Sequence, residues 1–509
     1  MHKHSIATLL AGTLVIGVAA CSSSSSKASS TTASAETSTA ATNGTTATTV
    51  ARPAGPAADM SKQLTGGKGV FIGDPVTVDL AKAGYTEHEY EATGTATSYK
   101  AVGALPGNGR WALTPASTAP YRTRVLVRMP ASKARFSGNV IVEWLNVSGG
   151  IDADPEWSTL NEEIIRHGDA YVGVSTQELG IMGGPVLVKV NVPGASDAAG
   201  KGLVKIDPAR YGNLTHPGDA YAMDIFTQVA RAVRTGAGLG GRVPQRLIAA
   251  GESQSAFAMV SYYDGVQPLT KAFDGFFVHS RGAGGLPLLA GGPASAGIAN
   301  AISGPATIFR TDVAAPVMDV QTETDVTSIL NSYAARQPDN NGFRLWEVTG
   351  TSHADAHLLG ANAKYVNCGV PINNGDLHIV AKAAYRALEQ WMSAGTPPLH
   401  APRIDVTPGK TPTIKRDADG IALGGIRTPP VDVPVSALSG VPGPNPSTIC
   451  LLLGSSKPFA AARLAQLYPS KAVYMQKFTA DVDATIKSGF ALADDRAAML
   501  GFAEPNQIK

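Results

Sequence analysis

Short apolar runs separated by helical stretches constrain this chain more than any other feature of its sequence. Asn139-Val-Ile-Val-Glu-Trp-Leu145 is largely apolar, Ala170-Tyr-Val-Gly-Val-Ser175 and Arg246–Ala250 are further short strand-like runs, and Phe273–Val278, Ala315–Val320 and Phe343–Val348 follow. Runs of this length without a polar alternate fit strands covered on both faces. Between two of them, Asp219 to Arg234 carries apolar residues at helical spacing (Ala222, Ile225, Phe226, Val229, Val233) just after Pro217-Gly218. Strand, helix, strand in succession requires crossover connections, so an α/β fold with a mostly parallel sheet is expected. Tyr121–Arg128 alternates polar with apolar residues and reads as a half-exposed strand.

One of these strands leads into the most informative turn. Leu247-Ile-Ala-Ala-Gly251-Glu-Ser253-Gln-Ser255-Ala-Phe-Ala-Met-Val260 is a short apolar strand, then Gly-x-Ser-x-Ser, then a helical stretch. A serine on such a strand-to-helix bend takes an unfavourable backbone conformation and needs small residues two positions away on each side. Gly251 and Ser255 meet that demand. Ser253 is therefore the candidate nucleophile, and the N–H of Gln254, at the helix start, is placed to donate to an oxyanion. The bland alternative is a helix N-cap serine, since a Gly-x-Ser-x-small pentapeptide alone is common.

Partners for a nucleophile at this bend are expected downstream, acid before base, at the carboxyl ends of later strands. Strand 317–320 runs into Gln321-Thr-Glu323-Thr-Asp325, and strand 343–348 into Thr349-Gly-Thr-Ser-His353. Asp325 is the favoured acid, with Glu323 as its alternative, and His353 is the favoured base over His357. His279 and His216 read as structural or pocket-lining. A second oxyanion donor is expected from Asn146-Val-Ser-Gly149-Gly150, with Asn146 as the residue named. His353 and His357 are four apart, but no Glu follows His353 as a His-Glu-x-x-His zinc motif would need, so neither a metal nor a cofactor is expected.

The termini and cysteines speak to location. Lys3 precedes an apolar stretch, Ser5–Ala20, too short to span a bilayer as a mature helix, which ends in Val18-Ala19-Ala20-Cys21. This tetrapeptide resembles a bacterial lipobox, so residues 1–21 read as a lipoprotein signal peptide and Cys21 as the lipidated residue; an ordinary signal peptide is the alternative. Two or three acyl chains would anchor the chain stably to the bacterial cell membrane from outside the cytoplasm. Residues 22–52, mostly Ser, Thr and Ala, read as a disordered tether. Cys368 and Cys450 remain, 82 residues apart, and a disulfide is favoured over two buried thiols.

The catalytic domain is expected over 53–509, with insertions at about 183–204, 282–308 (a candidate lid) and 402–446, the last too proline-rich for central strands. Lys+Arg 42 against Asp+Glu 40 leaves a net charge of +2, and the sequence has no basic stripe for phosphates, so nucleic acid is excluded as a partner. Oligomeric state leaves no trace in the sequence.

Gly-Glu-Ser-Gln-Ser-Ala, Leu-Thr-His216-Pro-Gly-Asp-Ala-Tyr, Gln-Thr-Glu-Thr-Asp-Val and Gly-Thr-Ser-His-Ala-Asp together resemble the exported bacterial alpha/beta hydrolase domain family. Trp391 with Gly395-Thr-Pro-Pro and the tail Cys450–Tyr474 extend the resemblance, which spans roughly Leu64 to Phe478. It implies the α/β-hydrolase fold and a serine nucleophile at Ser253. The expected activity is hydrolysis of a small-molecule or lipid carboxylic ester through an acyl-enzyme. Acyl transfer or amide cleavage by the same residues, and a non-catalytic surface-binding lipoprotein, are the alternatives.

Overall fold

The computed structural model describes residues 52–73, 78–189, 192, 195–292 and 298–509. The expected signal peptide, Cys21 and nearly all of the tether lie outside these. Arg52, assigned to the tether's end, instead belongs to the folded unit, where its guanidinium pairs with Asp274. No helix among the described residues is long and apolar enough to cross a membrane.

Nine strands form one sheet: β1 (Asp59–Leu64), β2 (Tyr85–Ala101), β3 (Leu113–Pro130), β4 (Asn139–Trp144), β5 (Ala170–Val174), β6 (Arg246–Glu252), β7 (Gly275–His279), β8 (Val317–Thr322) and β9 (Phe343–Val348). Their order is β1-β2-β3-β5-β4-β6-β7-β8-β9. From β5 to β9 every pairing is parallel; β1, β2 and β3 add an antiparallel edge. This is the mostly parallel α/β sheet expected from the alternation of strands and helices, and it has the α/β-hydrolase architecture that the resemblance implies.

Successive residues of the parallel strands point to opposite faces, and both faces are covered. Val140, Val142, Leu247, Ala249, Phe276 and Val278 pack into one core with α2 (Ala222–Arg234) and α3 (Gln254–Ser261). Ile141, Ile248, Ala250, Phe277, Met318 and Trp346 pack into the other, with α1 (Pro155–His167) and α5 (Leu377–Ala394). Two-sided burial is why these strands read as largely apolar rather than alternating runs, with buried polar residues such as Glu143 as exceptions. A further short helix, α4 (Glu323–Thr327), follows β8, and α6 (Lys471–Lys487) lies near the C-terminus.

The stretch 121–128 departs from its half-exposed reading. It is part of β3, and its polar members Thr123 and Arg124 are fully buried. Arg124 is tied to Glu89 at 3.0 Å and Asp152 at 2.7 Å, and Arg128 to Asp154 at 2.5 Å and Glu87 at 2.8 Å. Alternation there reflects charge pairing inside the molecule, which burial permits only when each charge has a partner.

The inserted segments divide in role. Part of 183–204 lines the cavity beside Ser253, whereas no described residue of 282–308, the candidate lid, does so. Ala290 of that segment instead lies against β2 and β3, where its carbonyl accepts hydrogen bonds from Ser98 and Ser117. Segment 402–446 contributes no strand to the main sheet. It holds β10 (Val406–Thr407), β11 (Thr413–Ile414) and β12 (Ser436–Ser439), the last paired with β13 (Ser455–Pro458). Ile404, Ala422 and Ile426 bury it against the ends of β8 and β9. Cys368 and Cys450 form a disulfide with Cα atoms 5.4 Å apart.

Candidate active site

Ser253 occupies the bend between β6 and α3 with φ 58° and ψ −118°. Few non-glycine residues adopt a positive φ, and such strain persists only where the surroundings impose it. Here β6 is locked between β4 and β7, the Ser253 N–H donates to His279 O at 3.0 Å, and α3 begins at once. A Cβ on Gly251 would lie 2.8 Å from the backbone C and O of Ser255, so glycine is required there sterically. In α3 the helical ladder starts with Ala256 and Phe257 donating to Ser253 O. The Gln254 N–H precedes that ladder and is one of the amides a helix start leaves available. The Gln254 side chain is tied back by a hydrogen bond to Gln177.

The ends of three strands converge on the serine hydroxyl. His353, in the loop after β9, sets Nε2 2.8 Å from Ser253 Oγ and Nδ1 2.7 Å from Asp325 Oδ1. Asp325 sits in α4, and its other oxygen accepts the N–H and hydroxyl of Thr322, each at 2.7 Å. Burial favours the protonated form of Asp325, but His353 and the Thr322 donors outweigh it and hold its pKa below the ordinary range. For His353, burial opposes the charged ring, yet Asp325 and Glu252 together raise its pKa above the usual histidine value. The carboxylate fixes the tautomer, with the Nδ1 proton donated to Asp325, and Nε2 is left to accept the serine proton.

Glu323, the alternative acid, faces elsewhere. Its Oε1 accepts from Ser439 and Gly440 at 2.9 Å and pairs with Arg416 at 2.5 Å, while Oε2 accepts the Gly350 N–H at 3.0 Å. It holds segment 402–446 against the sheet. His357 stacks on His378 with ring centroids 3.7 Å apart. His216 bonds Thr176 O at 2.9 Å, and burial lowers its pKa.

Asn146 departs from its expected role as oxyanion donor. Its N–H is donated to Ala153 O at 2.9 Å, and its side-chain amide to Glu252 O at 3.1 Å. The backbone donor thus closes the loop after β4 on itself, and the side-chain donor holds that loop against the elbow. The loop still approaches the serine, because Ser148 and Gly149 line the same cavity.

Glu252 is the site residue the sequence reading passed over. It lies between Gly251 and Ser253, is 5% exposed, and brings Oε1 to 3.4 Å from His353 Nε2. Burial pushes its carboxyl up to about 7 against the opposing pull of His353 and His279. Its place in the pentapeptide was visible, but a strand-end glutamate carries no signal that it turns inward.

A cavity of about 170 Å³ opens beside Ser253 and His353. One wall comes from the insertion (Val188, Val192, Ala195), the other from Leu358, Leu359, Ile449 and Leu452. The disulfide joins the two segments of this second wall, packing with Leu359 and Leu453 in one apolar cluster. Among the described residues, no lysine or arginine lines the cavity. A serine hydroxyl hydrogen-bonded to an imidazole, a carboxylate orienting that ring and an apolar pocket beside them form an arrangement with the geometry acyl transfer requires.

Among solved structures, the chain is similar to a lidless α/β serine hydrolase from Xanthomonas campestris. The two share 15% identity with a TM-score of 0.30, over 60% of this chain and 97% of that one. A Rhizomucor miehei esterase matches at 12% identity and TM-score 0.30, over 63% and 94% of the two chains. The carboxylesterase Cest-2923 from Lactobacillus plantarum matches at 9% and 0.26, over 47% and 76%. No protein of curated function matches the chain. The family model described as "Alpha/beta hydrolase domain" matches residues 38–501, nearly the whole length that carries this sheet, elbow and strand-end acid and base, so the chain belongs to the alpha/beta hydrolase domain family.

Proposed function

We propose that the protein is a serine hydrolase that cleaves neutral carboxylic esters through an acyl-enzyme on Ser253. The observation that carries this reading is the unbroken chain Ser253–His353–Asp325, at 2.8 and 2.7 Å, on a strained turn beside an apolar cavity. Ser253 Oγ attacks the ester carbonyl carbon while His353 Nε2 takes its proton. The oxyanion formed lies toward the Gln254 N–H and the positive end of α3. Collapse expels the alkoxide, which receives the proton from His353. Water then attacks the acyl-serine by the same route and releases the acid.

The lining supports a substrate class. With no lysine or arginine among its described lining residues and the Glu252 carboxyl on its wall, the cavity favours a neutral group over a carboxylate or phosphate. A cavity of about 150 Å³ holds a benzene-sized group, so 170 Å³ suits a compact apolar moiety better than a long acyl chain. The disulfide and the lipobox-like Cys21 support an exported protein tethered to the cell membrane.

A fluorophosphonate probe tests the nucleophile: wild type should be labelled at Ser253, and Ser253→Ala should not. Absence of wild-type labelling would favour a binding protein that keeps only the fold. A p-nitrophenyl ester series should peak at short or branched acyl groups and fall toward palmitate. Product partitioning with added alcohols or amines would show transfer to acceptors other than water.

A further inference from the structure

We infer that Glu252 is a second carboxylate partner of His353, a positioning residue that holds and charges the imidazole from the Nε2 side while Asp325 does so from Nδ1. This rests on the reading of Ser253 as nucleophile and His353 as its base.

The geometry is particular to this elbow. Glu252 Oε1 stands 3.4 Å from His353 Nε2, the atom that bonds Ser253 Oγ at 2.8 Å. The Asn146 side-chain amide fixes the glutamate by reaching its backbone carbonyl at 3.1 Å and its Oε2 at 3.4 Å. That gives the otherwise engaged Asn146 a function. When His353 takes the serine proton, the new N–H lies between the hydroxyl oxygen and a carboxylate oxygen, so an ionised Glu252 stabilises the imidazolium.

Other charges set the ionisation of Glu252. From β7, His279 is its direct neighbour in the sheet. His279 is paired in turn with Glu156 of α1 at 3.6 Å, and neither ring nitrogen nor either carboxylate oxygen of that pair makes a hydrogen bond. Burial opposes the charge on His279, but Glu156 raises its pKa to about 9. Its positive ring therefore faces Glu252 at neutral pH, while Glu156 and Asp325 oppose ionisation of Glu252. A cavity of about 10 Å³ brings Glu252, His279 and His353 together with Asp355, His357 and His378.

The sign follows from the pairing. An ionised Glu252 raises the pKa of His353, so its removal lets the base stay neutral to lower pH. The test is the pH dependence of kcat/KM on a neutral p-nitrophenyl ester for wild type, Glu252→Gln, Glu252→Asp and His279→Gln. Glu252→Gln should move the acid limb down by roughly one to three pH units. It should also lower plateau kcat about tenfold, with KM nearly unchanged. Glu252→Asp should recover part of both effects. His279→Gln acts in two opposed ways, leaving Glu252 protonated over a wider range and removing a positive ring that itself lowers the His353 pKa, so its limb should move less than that of Glu252→Gln. An acid limb that stays in place in Glu252→Gln overturns the proposal; if Glu252→Gln does not fold, Glu252→Asp decides it, and a limb identical to that of wild type in Glu252→Asp then overturns it. Wild type unlabelled by fluorophosphonate would instead overturn the nucleophile reading.

Discussion

Asp325 and Glu323 are two residues apart on one short helix, both buried, and their removal should have opposite consequences. In Asp325→Asn the carboxylate 2.7 Å from His353 Nδ1 becomes neutral. At an effective dielectric of about 20, unit charges at that distance interact by about 6 kcal/mol, an upper figure for what the imidazolium loses. At 1.36 kcal/mol per tenfold, this corresponds to a kcat lower by roughly 10⁴, and the amide can also select the wrong ring tautomer. Glu323→Gln leaves that contact intact. It removes the charge opposite Arg416 and sets an amide against the N–H groups of Gly350 and Gly440. The expected cost is roughly 2–4 kcal/mol of stability, with kcat within about threefold of wild type. Steady-state hydrolysis of p-nitrophenyl butyrate and urea unfolding followed by circular dichroism measure the two effects. A folded Glu323→Gln as inactive as Asp325→Asn, or Asp325→Asn keeping a tenth of its activity, would refute the assignment of the acid.

Three further outcomes follow from the packing. Gly251→Val places a side chain against the Ser255 backbone, and should cost about 1–3 kcal/mol by overpacking and lower fluorophosphonate labelling at least 100-fold in the protein that still folds; unchanged labelling would contradict the tight elbow. Replacing Cys368 and Cys450 together by Ala should lower the urea midpoint by the equivalent of about 2–4 kcal/mol and raise KM more than it lowers kcat, because the bridge joins two segments of the pocket wall; an unaltered KM would show that wall to be self-supporting. Ala195→Phe should shorten the preferred acyl chain in the p-nitrophenyl series, and an unshifted optimum would place the acyl group elsewhere.

Much of this molecule is written in local sequence. The parallel strands are legible because both their faces are buried, which leaves largely apolar runs such as Asn139–Leu145. The elbow is legible because the strained serine demands small residues at 251 and 255, a requirement satisfied within five positions. The order of Ser253, Asp325 and His353 is legible because parallel strands deliver their loops to one edge of the sheet.

What stayed hidden depends on contacts between segments distant in the chain. Asp325 and Glu323 look equivalent on paper; only the fold turns one toward His353 and the other toward Arg416 and Gly440. The alternation of 121–128 suggested exposure, but Arg124 is buried because Glu89 and Asp152 come from other segments to neutralise it. Asn146 has a donor's chemistry, and its neighbours consume it. Glu252 shows no pattern of its own, since its importance comes from an imidazole 101 positions away. Backbone conformation and apolar periodicity are short-range and therefore readable from sequence, whereas the direction of a side chain and the charge it meets are fixed only once distant segments pack together.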